Sequence, residues 1–498
     1  MRRSLSFSLA AAASLASVPA MAQGGTAAGA GVVPAPAAQP PAPTTTEVAA
    51  LTPASTTPMP VPEDLLHAHP GGLTAVQVGK RSMDTSFAAK QSFETMRAAQ
   101  GRVNAAWAAF LPRLSGTAKY TRLSTFTPPD LPLGGGVVIS GTSLAPQFLD
   151  QALFQATLTV PISDYFLKID QNYTAATHSV EAARFDVAAA RATALANGKV
   201  AYYTWMNARG AVIVAVQALN DQRTHLNDAR NQFQVGNASK ADVLRAETSE
   251  ASAELALVQA ENAADLAEEQ MRIALHIPAG PKLVPGEGLD EQPALFPGDL
   301  QALTREATTV RLELKSIRAN ALSARKTSEA NKAGRYPVIS AFGDALYANP
   351  NPRLFPARAE FFPTWDAGIQ AVWAPNDILT ANGNASDYEA RANALDAQAQ
   401  VTLEGIQVEV TQDFQTLKAA EFSLDSTKRQ LASATEAYRV ARELFNNGRG
   451  TSTTLTDAEG ELTNARIAAL NAQVNARIAR VRLEHAVGRD LKEADSAH

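Results

Sequence analysis

The chain has 498 residues, of which 46% are hydrophobic and 19% are charged. This length is enough for two or three ordinary domains or for one large architecture. The absence of cysteine excludes disulfides and thiolate metal sites. A net charge of -5 without basic clusters predicts that nucleic acid is not a partner.

Residues 1–22 have the pattern of a secretory signal peptide. Arg2 and Arg3 precede a short apolar run, and Ala20-Met21-Ala22 fits a small-residue cleavage site. We therefore expect export from the cytoplasm. Because no cysteine follows the site, we expect that the mature protein is not a lipoprotein.

Composition divides the rest of the chain. Residues 23–68 are rich in Pro, Ala and Thr and predict a disordered leader. A breaker-rich linker at 277–300 separates a first repeat, 69–276, from a second repeat, 301–490, and 491–498 form a tail. Each repeat has the same predicted order of helix, two strands, long helix, glycine turn and helix.

Four predicted strands alternate apolar and polar residues, and the parity is the same in both repeats. The apolar face contains the positions predicted to face lipid: Leu114, Tyr120, Phe154, Leu158, Ile339, Tyr347, Ile369 and Trp373. Aromatic residues near the strand ends suit the interfacial girdles of a membrane barrel. The alternation alone also fits two soluble hairpins with one buried face.

The predicted helices favour the membrane interpretation. Residues 166–235 and 379–446 each lack proline and predict helices of roughly 70 residues, or about 105 Å. The shorter helices, 84–110 with 240–276 and 301–334 with 452–487, would together span about the length of each long helix. Such rods are typical of coiled coils or helical repeats. The last helix has two neighbouring apolar stripes, which predict a helical neighbour on each side.

A helical corner occurs twice in the sequence. The stretch FQVGNASKADVLRAE begins at Phe233, and FNNGRGTSTTLTDAE begins 212 residues later at Phe445. Gly236 and Gly448 permit reversal of the chain. Ser239 and Thr451 are expected to cap the returning helices.

These corners, AYYTW at 201–205 opposite DFQTL at 413–417, and the duplicated FLPRLSGTAKY and RYPVISAFGDA segments resemble the TolC-type outer-membrane efflux protein family. The resemblance covers nearly everything from Leu73 to Asp490. It implies an α+β membrane protein in which four transmembrane β-strands per chain contribute to a trimeric 12-stranded β-barrel. A long periplasmic α-helical barrel would continue from it.

The resemblance also implies function, partners and location. The chain would be the outer-membrane exit duct of a tripartite efflux or type I secretion system, with a periplasmic extension. It would be a passive homotrimer in contact with outer-membrane lipid, opened by a periplasmic adaptor (a membrane fusion protein) and powered by an inner-membrane transporter.

The family's gate carries over to the two glycine corners. Tip turns and adaptor contacts are implied for Gly236, Ser239, Gly448, Gly450 and Thr451. The constriction is implied for Asp457 and Thr454, of which only Asp457 keeps the acidic residue of the family. A latch is implied between Asp242 and Arg449 or between Arg245 and Asp457. Alternatively, these are solvated charges in the first turns of helices.

The sequence contains no constellation typical of an enzyme. Its seven histidines are scattered, without a pair at metal-binding spacing. We therefore expect no catalytic activity, no cofactor and no metal. The alternative function is that of a periplasmic coiled-coil adaptor or structural helical-hairpin protein without a pore.

Overall fold

The computed structural model describes residues 68–125, 129–132, 135–136, 138–139, 147–278, 280–289 and 296–490. All of them belong to the structural unit Thr56–His498. The predicted signal peptide, the leader as far as residue 67 and the tail 491–498 lie outside the described residues.

The described elements follow one another twice in nearly the same order. The first series is α1 Ala75–Thr85, α2 Phe87–Ala108, β1 Arg113–Arg122, the short β2 Leu131–Pro132 and β3 Val138–Ile139, β4 Asp150–Val160, α3 Asp170–Gln234 and α4 Lys240–Leu275. The second series is α5 Leu300–Val310, α6 Leu312–Lys332, β5 Val338–Asn349, β6 Phe362–Val372, α7 Asp377–Asn446 and α8 Ser452–Val487. A π-helical turn, Tyr165–Ile169, leads into α3.

Four strands form one antiparallel sheet in the order β1-β4-β5-β6. Its register places Ala118 opposite Phe154, and Phe154 opposite Tyr347. Because side chains alternate across a strand, all the predicted apolar residues within the strands share one face. The predicted parity is confirmed.

The apolar face of the sheet is uncovered in the single chain. The eight predicted lipid-facing side chains are all exposed, from 42% at Ile339 to 75% at Ile369. Trp373 is among them, but it lies one residue beyond the end of β6. On the opposite face, Asp344 accepts hydrogen bonds from Gln155 and Thr157.

The helices form a layer with two open edges. Near the sheet the neighbours run in the order α2, α3, α6, α7, and farther from the sheet in the order α4, α3, α8, α7. Helices α2 and α4 therefore form one edge, and α7 forms the other. None of the described helices is both long enough and apolar enough to cross a membrane.

Small residues allow these helices to approach closely. A Cβ atom on Gly198 of α3 would lie 2.7 Å from Ser82 Cβ of α1, and one on Gly210 would lie 2.5 Å from Leu470 Cδ1 of α8. Contacts this short do not occur between real atoms. Glycine is therefore required at position 198, where the backbone of α1 is also close, whereas at position 210 the end of the Leu470 side chain would have to move.

The structure corrects two of the predicted helices. The helix predicted at 84–110 begins at Ala75 and is interrupted at Ser86, and the helix predicted at 301–334 is interrupted at Arg311. Both residues adopt nearly the same extended conformation, with φ/ψ of -58°/120° and -54°/126°. Neither interruption contains proline or glycine, so the usual sequence signals for a helix end are missing.

Candidate functional site: the tip turns and the pair beneath them

The first tip turn, residues 235–239, joins α3 to α4. Gly236 has a φ of +82°, in the left-handed region that favours glycine. The Asn237 amide donates to the Gln232 carbonyl oxygen over 2.8 Å. Ser239 caps α4, because its Oγ accepts from the Asp242 amide at 3.2 Å while Asp242 Oδ2 accepts from the Ser239 amide at 3.0 Å.

The second tip turn, residues 447–451, joins α7 to α8 in a related way. Gly448 has a φ of +67°. The amides of Arg449 and Gly450 both donate to the Leu444 carbonyl oxygen, at 2.9 and 3.0 Å. A Cβ atom on Gly450 would lie 3.0 Å from the Phe445 amide nitrogen, so glycine is favoured there as well.

The cap of the second turn has no carboxylate. Thr451 Oγ1 accepts from the Thr454 amide at 3.2 Å, and the two threonine hydroxyls are 2.8 Å apart. Thr454 therefore occupies the position that Asp242 has in the first turn. It cannot return a carboxylate hydrogen bond to the backbone at the start of the helix.

The two turns contact each other within one chain. The Gln232 side-chain amide donates to the Asn446 carbonyl oxygen over 2.8 Å. Arg245 Nη1 reaches Thr453 Oγ1 at 3.2 Å. Beneath these contacts lies an apolar cluster that includes Leu226, Val243, Phe445 and Leu455.

The charged residues predicted at the gate form a different set of contacts from the predicted latch. Arg245 Nη1 donates to Asp242 Oδ1 at 3.3 Å, on the same helix. Among the described residues of the single chain, neither Asp242 with Arg449 nor Arg245 with Asp457 forms an ion pair. Arg449 and Asp457 are exposed.

The environment of Asp242 favours its charged form. The hydrogen bond from the Ser239 hydroxyl is the largest influence that lowers the pKa of Asp242, followed by the bond from the Ser239 amide. Partial burial opposes these bonds, and the charge of Arg245 adds a smaller lowering. The capping role therefore explains most of the perturbation without a latch.

The structure reveals a buried ionisable pair that the sequence analysis missed. His225 of α3 and Glu459 of α8 are each 2% exposed. His225 Nδ1 lies 2.9 Å from Glu459 Oε2, and His225 Nε2 lies 3.3 Å from Ser452 Oγ. Gln222 Nε2 donates to the same carboxylate oxygen at 3.1 Å.

The repeated corner sequence did not indicate this pair, because its two equivalent glutamates have different environments. Glu459 is equivalent to Glu247, 212 residues earlier, but Glu247 is exposed and pairs with Arg230 at 3.0 Å. The position equivalent to His225 is Ala437. The presence of histidine at only one of these two equivalent positions was the sequence signal that could have indicated the pair.

The described residues contain no group of three His, Cys, Asp or Glu side chains placed to hold a metal ion. The tip instead consists of turns, caps and one buried pair between two helical hairpins. Together with the four-stranded sheet, these features define a protein of two tandem repeats in which long helical hairpins extend from a small antiparallel sheet.

Comparison with known families then gives the particular assignment. The sequence profile described as outer membrane efflux protein matches residues 90–275 and 303–489. The chain therefore belongs to the outer membrane efflux protein family, and the predicted TolC-type relationship is confirmed. Membership in this family also confirms that the chain is not an enzyme. No curated protein matches the sequence.

Solved structures have the same fold at low sequence identity. CusC superposes with a TM-score of 0.71 at 14% identity, covering 83% of this chain and 92% of its own. The Campylobacter jejuni CmeC outer membrane channel gives 0.69 at 17%, covering 86% and 92%. The open-state MtrE outer membrane channel of Neisseria gonorrhoeae gives 0.67 at 17%, covering 83% and 88%.

Proposed function

We propose that the chain is an outer-membrane exit duct of a tripartite efflux or type I secretion system. In this proposal it is a passive homotrimeric conduit, opened at its tip by a periplasmic adaptor and powered by an inner-membrane pump. The observation that carries the proposal is that the sheet and the helix layer of the single chain are both open at two edges.

The sheet edges support closure around a threefold axis. In the order β1-β4-β5-β6, the strands β1 and β6 each have one side that pairs with no other strand of the described residues. A membrane-embedded sheet must satisfy its backbone groups by pairing, because lipid offers no hydrogen bonds. Pairing β1 of one copy with β6 of the next would close twelve strands into a barrel, with the exposed apolar face toward lipid.

The helix edges support the same assembly. On α7, Val401, Val408 and Phe422 are exposed by 62 to 72% and are separated by multiples of seven residues. On α4, the opposite edge, the exposed apolar residues are Leu244, Leu255, Val258, Leu266 and Ile273. The seven-residue spacing on α7 is typical of helices that pack in coiled coils, and the α4 residues also lie on one side of their helix. Packing α7 of one copy against α4 and α2 of the next would cover both stripes.

Location and organisation follow from this proposal. The signal peptide 1–22 would direct export, and the repeats 69–276 and 301–490, joined by 277–300, would form the outer-membrane barrel and its periplasmic extension. The family and the neighbouring channels support this location. We include the absence of a lipid anchor in the proposal.

The tip turns would form the gate. Each copy contributes two turns, so a trimer presents six around its mouth. We assign the constriction to Asp457 and Thr454, with Asp242, Arg245 and Arg449 as the charged groups around it. We assign adaptor contact to the turn residues Gly236, Ser239, Gly448, Gly450 and Thr451, of which all but the half-buried Gly450 are exposed.

Purification of the mature chain in detergent, followed by planar-bilayer recording, tests the proposal. We expect a heat-modifiable trimer in the outer-membrane fraction and a small conductance that rises when the tip contact of Gln232 is removed. A monomer in the soluble periplasmic fraction, without conductance even after this substitution, would contradict the proposal. That outcome would instead favour an adaptor or a structural hairpin protein.

A further inference from the structure

The buried pair His225–Glu459 connects the two helical hairpins of the chain. His225 lies on α3 of the first hairpin, whereas Glu459 and Ser452 lie on α8 of the second. Phe445 of α7 covers the imidazole edge-on, with ring centroids 5.4 Å apart. Any movement of α7 and α8 away from α3 therefore breaks these contacts and admits water to the pair.

The geometry suits a pair that shares one proton. With one proton the pair has no net charge, because either the imidazolium donates to the carboxylate or the carboxyl donates to Nδ1. In both forms the Ser452 hydroxyl can partner the far nitrogen of His225. Loss of that proton leaves a buried carboxylate, and gain of another leaves a buried imidazolium.

The other oxygen of the Glu459 carboxylate makes the charged form of the pair less stable. Among the described residues, Glu459 Oε1 is buried and has no hydrogen-bond partner. A carboxylate with one unsatisfied oxygen in an apolar cluster is poorly stabilised when it carries a full charge. Burial accordingly raises the pKa of Glu459, although the hydrogen bond with His225 opposes this effect.

Neighbouring charges on every packed helix are mostly paired with each other. On α3, Asp221 accepts from Arg466 of α8 at 2.7 Å, and Asp228 lies 3.6 Å from Arg442 of α7. The remaining titratable groups that act on the pair are Asp242 of α4 and Tyr438 of α7. Burial raises the pKa of Tyr438, so this phenol stays neutral near neutral pH.

We propose that His225 and Glu459 form a proton-operated lock, which holds the two hairpins together while the pair carries a single proton. The lock rests on the proposed function, because it acts on the tip that we assign as the gate. Release of the proton would favour separation of the hairpins. The first hairpin's Glu247 cannot take this role, since it is exposed to solvent.

The direction of the pH effect follows from linkage. A carboxyl whose pKa is raised in the closed tip binds its proton more tightly there than in an opened tip, where it meets water. Raising the pH between the carboxyl pKa of the opened tip and that of the closed tip therefore favours opening. The ratio of open to closed tips rises by up to about tenfold per pH unit. Lowering the pH favours closure until a second proton enters the pair.

The absence of native cysteine allows the lock to be tested directly. Spin labels would be placed at Lys240→Cys on α4 and Glu461→Cys on α8, two exposed positions on different hairpins. Labelled chains would be diluted into unlabelled full-length trimers, so that only distances within one chain are measured. Pulsed dipolar spectroscopy would then follow the label distance between about pH 5 and pH 9.

We expect a narrow distance distribution that broadens as the pH rises. Glu459→Gln removes the carboxylate while retaining a neutral hydrogen-bonding group, and should give a narrow distribution that does not broaden as the pH rises. Glu247→Gln is the matched control and should retain the wild-type response. His225→Ala removes the imidazole partner, leaves only the Gln222 hydrogen bond to the carboxylate and should broaden the distribution throughout.

An unchanged pH response in Glu459→Gln would overturn the lock, as would loss of the response in Glu247→Gln. Bilayer recordings of the same trimers separate the two proposals. A label distance that responds to pH in a protein without conductance would support the lock and refute the conduit. Conductance with a label distance that does not respond would do the reverse.

Discussion

The Gln232 side-chain amide donates to the Asn446 carbonyl oxygen over 2.8 Å and joins the ends of α3 and α7. The two residues are 214 positions apart in sequence but adjacent at the tip. This bond caps a carbonyl at the end of α7 with a side chain from the other hairpin. It is therefore a direct contact between the two parts of the proposed gate.

Replacing Gln232 with Ala should loosen the tip. The bond between the hairpins is worth about 0.5–1.5 kcal/mol, and its loss corresponds to a roughly two- to tenfold rise in the ratio of open to closed tips. The substitution also removes the bond that Asn237 Nδ2 donates to Gln232 Oε1 at 3.1 Å within the first turn. Single-channel recording of the open fraction measures this change. Gln234→Ala, at the exposed end of the same helix, is the control and should behave as wild type.

Replacing Asp457 with Asn should weaken cation selectivity. Asp457 is exposed beside the second tip turn, and a trimer would bring three such carboxylates around one axis. Reversal potentials in a salt gradient measure the selectivity. Asp457→Glu should preserve it, and an unchanged reversal potential in Asp457→Asn would remove this residue from the constriction.

Replacing Gly448 with Ala should destabilise the second tip turn, because the left-handed conformation costs a residue with a Cβ atom about 1–2 kcal/mol. Limited proteolysis of the turn measures the effect. Gly460→Ala provides a matched control on α8, since a Cβ atom there meets nothing within 4 Å. We expect this control to be neutral or slightly stabilising, because alanine favours a helix interior.

Replacing Ser239 with Ala should make the first tip turn less stable by about 1 kcal/mol and should raise the pKa of Asp242. Because the folded structure lowers this pKa below 3.8, the stabilisation is complete above pH 3.8 and is lost as the pH falls through the folded value. Proteolysis of the turn at several pH values tests this. Thr451→Ala should weaken the second cap without this acid dependence, because Thr454 replaces the carboxylate there.

Replacing Ile369 with Arg should impair assembly, whereas the adjacent Gln370→Arg should be tolerated. Ile369 is 75% exposed on the apolar face, and Gln370 lies on the opposite face of β6. An arginine facing lipid near the bilayer midplane costs about 2–4 kcal/mol. The yield of heat-modifiable trimer measures assembly, and equal yields from both variants would contradict the proposed orientation of the sheet.

Local patterns in the sequence predicted the strands and turns well. Alternation fixed which face of each strand is apolar, and Gly236 and Gly448 identified the turns because a left-handed residue has few alternatives to glycine. The breaks at Ser86 and Arg311 could not be predicted in the same way. Ser86 caps α2, since its Oγ accepts from the Ala89 amide, but serine also occurs within helices. Arg311 donates to Glu409 and to the Ala486 carbonyl oxygen, which are distant in sequence.

The buried pair at the tip could also not be predicted from local sequence patterns. Glu247 and Glu459 occupy equivalent positions in the repeated corner, yet only Glu459 is buried. Alanine-rich helices have small differences between their faces, so the apolar pattern does not show which one packs inward. The difference depends on His225, which contacts Glu459 and Phe445 only in the folded chain.

The returning helices α4 and α8 are both 36 residues long, and the helices that precede them end 212 positions apart. From the start of β4 to the end of α4, every principal boundary except the start of the long helix has a counterpart 212 positions later, whereas α1 and α5 begin 225 positions apart. The difference of 13 positions arises between the starts of the two strands of each repeat, where 113–149 spans 37 positions and the equivalent 338–361 spans 24. A single residue added to one helix of a hairpin would shift its tip by about 1.5 Å along the helix axis and rotate it by about 100°. The two hairpins can therefore change in length only together if their tips are to stay at the same level. The segments between the strands are free of this constraint.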